Sequence, residues 1–169
     1  MTILVRACFA CVALIAGAAI LGTAASYGQD SPEKLAEQFG TVADAKAMLA
    51  KTVSALKADK AKTVDAINKG EGGFLDRDIY PFCFNLSDGK IVAVASDNAK
   101  QFLGTDIRAL KDATGKVYGP ELYDGAKEGQ MTEVSYMFPK PGSDKTPVKK
   151  VSFVTAVVDL GCGVGYYKK

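Results

Sequence analysis

The sequence predicts an α+β domain in which a helix lies across a small antiparallel sheet. Three observations lead there. Residues 73–94 read as a strand, a tight turn and a returning strand. A long stretch with apolar residues at helical spacing precedes that hairpin, and further strand-like runs close the chain. The 169 residues support one domain with a genuine core, and an apolar content of 48% with 24% charged residues fits a globular chain.

Each element has its own signal. Ser31, Pro32 and Glu33 supply a cap, a proline at the first helical position and an early acid, and Gly40 breaks that first helix. Thr41-Val42-Ala43-Asp44 starts a second with a capping-box pattern. Val42, Ala45, Leu49, Val53, Leu56, Val64 and Ile67 then fall near one face, Lys60 interrupts the stripe, and Gly70 is the expected C-cap. The expected helix runs about 28 residues, or about 42 Å. One apolar stripe on so long a helix implies packing against a sheet. The alanines and threonine weaken the seam that a homodimeric coiled coil would need.

In the hairpin, Tyr80, Phe82, Phe84 and Leu86 alternate on one face, Ser87-Asp88-Gly89 turns the chain, and residues 90–94 return. Ser96-Asp97-Asn98 leads into a short helix over residues 99–103. Residues 104–119 are turn-rich and residues 120–127 look helical. Val134, Tyr136 and Phe138 alternate in a third strand, residues 139–147 form a loop, and residues 148–158 form a fourth strand. Asp159-Leu160-Gly161 is the expected turn into a last strand over residues 162–167.

Composition removes several functions. There is no histidine, which excludes Ser-His-Asp and Cys-His nucleophile systems, histidine metal sites and attached c-type haem. No metal site or cofactor is expected. A formal charge of +2 with dispersed lysines gives no footprint for nucleic acid.

Residues 1–25 carry the pattern of a cleaved signal peptide. Arg6 is the positive start, residues 7–21 are uncharged and apolar, and Gly22-Thr23-Ala24-Ala25-Ser26 offers small residues for cleavage. An uncleaved anchor helix is the alternative, but the run is short of the ~20 apolar residues that span a bilayer. Cys8 and Cys11 lie inside this segment as small apolar residues. The expected mature chain is periplasmic or secreted, with residues 26–40 as an N-terminal segment with a short helix and residues 41–169 as the domain. In an oxidising compartment Cys83 and Cys162 either bridge or pack as two buried thiols.

The succession of residues resembles a known family. Phe74-Leu75-Asp76-Arg77-Asp78-Ile79-Tyr80 is followed by Phe82 and the Asp88-Gly89 hairpin. Then come Leu103-Gly104-Thr105-Asp106-Ile107, Leu110-Lys111-Asp112 with Gly115-Lys116, Tyr136, Lys150-Val151-Ser152-Phe153 and a glycine-rich ending at Tyr166. This order, over residues 41–168, is similar to the single Cache domain, an extracytoplasmic PAS-like sensor module. The resemblance implies a PAS-like five-stranded antiparallel sheet, with the long helix on one face and a pocket under short helices and loops on the other. It implies that first and last strands are neighbours, which fits a Cys83–Cys162 bridge. It also implies a small organic ligand, a carboxylate or amine, and a signalling partner such as a membrane receptor or histidine kinase in chemotaxis or signal transduction. The chain departs from the family pattern at Ala95-Ser96, where His-Pro is frequent, and at Phe153, where tyrosine is frequent.

Several residues are candidates for binding. Tyr80, Phe82 and Phe84 share one strand face and Tyr136 and Phe138 another, as pocket walls or as plain core. Arg77 has a guanidinium fork suited to a carboxylate, or it pairs on the surface with Asp76 or Asp78. Of Lys149 and Lys150 one must face inward, and Lys150 matches the family's lysine. Gly161, Gly163 and Gly165 alternate on one face, where they let bulky groups approach the sheet. The expected function is ligand binding without catalysis. The alternatives are an enzyme built on Lys150, Asp78 or Glu133, and a structural module whose pocket is filled by its own side chains.

Overall fold

The computed structural model describes residues 39–142 and 144–168. The expected signal peptide over residues 1–25, with Cys8 and Cys11, and the expected helix start at Ser31 lie outside the described residues. Helix α1 (Val42–Ala58) opens with the capping box: the Asp44 amide donates to the Thr41 hydroxyl at 3.2 Å, and the Thr41 amide donates to the Asp44 carboxylate at 2.8 Å. Ala45, Met48, Leu49, Thr52 and Leu56 form its buried face, while Val42 is exposed.

The single long helix of the sequence reading is instead two. Asp59 leaves helical geometry at φ −156° and ψ 97°, closes α1 through its amide to the Ala55 carbonyl, and opens α2 (Lys60–Lys69) by accepting the Lys62 amide on its side chain. A short acidic side chain that can bond the local backbone competes with the helical hydrogen bond at that point. Gly70 closes α2 in the left-handed conformation at φ 68°.

Five antiparallel strands follow: β1 (Pro81–Asn85), β2 (Ile91–Val94), β3 (Thr132–Pro139), β4 (Pro147–Val157) and β5 (Leu160–Tyr167). Their order across the sheet is β2-β1-β5-β4-β3, so the first and last strands are neighbours. Helix α1 lies across β5 and β4 and touches β1, and α2 continues over β2. Two 3₁₀ turns, Lys100–Phe102 and Ile107–Ala109, and helix α3 (Gly119–Gly125) belong to the other side of the sheet. The architecture is thus the α+β, PAS-like arrangement.

Strand alternation puts Cys83 on the α1 face, opposite its neighbours Phe82 and Phe84. There Cys83 pairs in register with Cys162, both fully buried, and the two form a disulfide spanning a sequence separation of 79. The β4–β5 turn falls at Val158 and Asp159, not at residues 159–161. Val157 pairs with Leu160, leaving a two-residue hairpin loop with Val158 at φ 58°. Gly161 is therefore a strand residue, and its missing side chain has another use.

Side chains bond to both sheet edges. At β2, the Asn68 amide donates to the Val92 carbonyl at 3.0 Å and accepts the Val94 amide at 2.9 Å. At β3, the Met137 amide donates to Asp112 at 3.0 Å and Lys116 donates to the Ser135 carbonyl at 2.8 Å. These bonds occupy part of each edge that would otherwise invite strand addition. Among the described residues no helix is long and apolar enough to cross a membrane.

Candidate functional site

The site begins with the glycines of β5. A Cβ at Gly161 would collide with the Phe84 ring, one at Gly163 with the Phe82 ring, and one at Gly165 would sit 2.5 Å from Lys150 Cε and 2.7 Å from Ser152 Oγ. Bare backbone at alternate positions lets two aromatic rings and the lysine stem lie flat on the sheet. The groups that approach the sheet are thus the protein's own side chains.

Above them is a cavity of about 40 Å³. Its sheet-side walls are Tyr80, Phe82, Tyr136, Phe138 and Lys150, and its roof includes Phe102, Ile107, Leu110, Tyr118 and Leu122. Tyr118 lies parallel to Tyr136, with ring centres 4.0 Å apart, which ties the roof to β3. Lys150 is the only charged residue among the lining side chains.

Lys150 is 3% exposed and sits in register between Tyr136 of β3 and Tyr167 of β5. Its ammonium donates to the Tyr80 hydroxyl at 3.1 Å and lies over the rings of Tyr80, Tyr167 and Phe138 at 4.4, 4.8 and 5.2 Å. It makes no ion pair among the described residues. Burial pushes its pKa down, only partly countered by Tyr136 and Asp78. Burial likewise pushes the Tyr80 and Tyr136 phenols up. The Tyr136 hydroxyl is bonded to Ser152 Oγ at 2.8 Å.

Asp78 is buried beside this cluster, 2% exposed, and accepts the Gly40 amide at 2.6 Å on one oxygen. Its other oxygen has no hydrogen-bond partner among the described residues. Desolvation raises its pKa, and the Gly40 amide and then the nearby Lys150 charge lower it.

Five of the seven sequence-predicted residues therefore converge: Tyr80, Phe82, Tyr136, Phe138 and Lys150. Phe84 shares the face but not the cavity. It is fully buried further along β1, 5.8 Å from the Tyr123 ring, whose hydroxyl donates to the Leu86 carbonyl. Arg77 lies on the other side, where its guanidinium donates to Asp76 at 2.8 and 3.1 Å and to Asp44 of α1 at 3.2 Å. Those carboxylates hold its charge toward the helix, away from the cavity walls. Lys149 is exposed, as alternation requires. Sequence reasoning missed Tyr118, Ile107, Leu110 and Tyr167. Ile107 and Leu110 entered only as part of the family-like succession, and Tyr118 lay unremarked in a turn-rich segment.

Comparison with known proteins gives one family and several structures of similar fold. A family model described as a Cache domain matches residues 33–167. The fold is similar to that of a methyl-accepting chemotaxis protein from Vibrio parahaemolyticus, at 20% identity over 74% of this chain and 86% of that one, with a TM-score of 0.58. It is also similar to a periplasmic sensor domain of a chemotaxis protein, at 22% identity, coverages of 73% and 88% and a TM-score of 0.55. A third similar structure, titled for carboxylic acid recognition by a Cache chemosensory domain, has 22% identity, coverages of 73% and 86% and a TM-score of 0.51. At these identities the likeness is one of fold. No curated protein matches the chain.

Proposed function

The chain belongs to the Cache domain family, and from that premise we propose that it is an exported sensory module that binds a small carboxylate at Lys150. One observation carries the reading: Lys150 lines an apolar cavity, and its buried ammonium has no anionic partner within ion-pair distance among the described residues. Burying a charge costs several kcal/mol unless it is paired. The Tyr80 hydroxyl and three ring faces offset part of that cost. A methionine would fill a similar volume without it, whereas Lys150 carries a charge that only Asp78, outside ion-pair distance among the described residues, partly answers. An entering carboxylate supplies the missing countercharge.

Cavity size narrows the ligand. About 40 Å³ is room for roughly three waters at ~10–15 Å³ each, or a two- or three-carbon acid. The aromatic walls suit its short alkyl end. The similar Cache chemosensory domain titled for carboxylic acid recognition supports the same class. An amine would meet the Lys150 charge and is disfavoured. Arg77 and Phe84 are outside this proposed site.

The reading is of binding without catalysis. Glu133 is exposed and Asp78 is not among the cavity's lining residues, so among the described residues no carboxylate acid–base pair brackets a ligand there. Occupancy favours one packing of the roof on the sheet through the Tyr118–Tyr136 stack, and a membrane receptor or histidine kinase reads that state. Cleavage near Ala25 releases the domain outside the cytoplasm.

A thermal-shift panel tests this. Acetate, propionate and lactate at millimolar concentration raise the melting temperature of the purified mature domain, while the alkylamines of equal size do not. No shift with any acid in the panel overturns the reading.

A further inference from the structure

We propose that Lys150 is also a site of covalent, reversible capture of short uncharged aldehydes as imines. The inference rests on the cavity just described but not on the carboxylate reading. Its basis is geometric. Lys150 lines a cavity whose other walls are uncharged, its nitrogen lies among the Tyr80, Phe138 and Tyr167 rings, the first two of which also line that cavity, and no carboxylate among the described residues locks it as an ion pair. A lysine desolvated in apolar surroundings is the arrangement that yields nucleophilic amines at neutral pH. Burial lowers its proton affinity in the empty cavity.

The groups around it leave the amine available. From the segment before β1 comes Tyr80, whose hydroxyl is 3.1 Å away; from β3 comes Tyr136, committed to Ser152; from β5 comes Tyr167, whose hydroxyl donates to the Pro139 carbonyl at 2.6 Å. Asp78 is the nearby acid, and one of its oxygens is held by Gly40. The ring faces stabilise a positive nitrogen and therefore the protonated imine as well.

The chemistry balances without a co-reactant. The amine nitrogen bonds to the carbonyl carbon, the carbon–oxygen bond breaks, and the oxygen departs with the two amine hydrogens as water. Cavity size selects the carbonyl compound. The space admits only a few heavy atoms, so short aldehydes fit.

The test is reductive trapping with acetaldehyde as the probe. The full chain is incubated at pH 7 with substoichiometric acetaldehyde and cyanoborohydride, then digested and mapped by mass spectrometry. The expected result is one ethyl group on Lys150, added at least tenfold faster than on any other lysine. In Lys150→Met that rapid phase is absent while slow labelling elsewhere persists. Labelling of Lys150 no faster than surface lysines overturns the inference, and the wild-type chain alone suffices to show it. Trapping without a carboxylate thermal shift upholds this inference and removes the carboxylate reading; the shift without trapping does the reverse.

Discussion

Removing the Cys83–Cys162 bridge tests how the sheet is held and where the cavity lies. The perturbation is the double substitution Cys83→Ala and Cys162→Ala. The bridge spans a sequence separation of 79, so in the chain-entropy account it stabilises the fold by about 4.5 kcal/mol at 25 °C. Domains of this size are stable by only ~5–15 kcal/mol, so the loss is about 30% of the total or more. It corresponds to roughly 15 °C in melting temperature. Urea denaturation followed by far-UV circular dichroism measures it, with a steeper denaturant dependence in the variant because its unfolded chain is freer. The bridge lies on the α1 face of β1 and β5, whereas Phe82 faces the cavity. Acetate therefore raises the melting temperature of the variant by as much as that of the wild type. A stability loss under ~1 kcal/mol refutes the entropic reasoning. Loss of the acetate response refutes the placement of bridge and cavity on opposite faces.

Three further outcomes follow from the same geometry. The pKa of Lys150 is lowered on folding, so the unfolded chain binds more protons between the folded value and the unfolded value of about 10.4. The stability of the empty protein should thus rise with pH across that window, and the rise should be absent in Lys150→Met; parallel curves for the two proteins would contradict it. Gly165→Ala places a methyl 2.5 Å from Lys150 Cε, so it should cost ~1–3 kcal/mol and weaken acetate binding at least tenfold in calorimetry; wild-type affinity would show that the lysine stem does not lie on β5. Asn68→Ala strips both bonds from the β2 edge and should cost ~1–2 kcal/mol by denaturation without changing acetate affinity, which an unchanged midpoint would contradict.

Local rules made much of this fold readable. The alternation of Tyr80, Phe82 and Phe84 and the capping box at Thr41 depend on near neighbours only, and the structure keeps both. Asp59 was equally local but was masked by a continuing apolar stripe, so the helix break went unread. Gly161 was read both as the end of a turn and as a point of close approach, and only the Phe84 ring above it decides for the second. The adjacency of β1 and β5 is a property of sheet order, and it entered through family resemblance. Alternation put Phe84 on the right face but could not say how far along the strand the cavity extends. Arg77 was chosen for its chemistry, yet Asp44, distant in sequence, turns it toward α1. The roof residues Ile107, Leu110 and Tyr118 follow no period, because turns position them one at a time.

The most direct measurement follows the Lys150 side chain itself. In lysine-labelled protein, acetate is titrated while the ε-methylene and ammonium resonances are recorded by NMR. The account requires one lysine, absent from the spectrum of Lys150→Met, to shift saturably while the exposed lysines stay still. Saturable binding of acetate that leaves that resonance unmoved would contradict it.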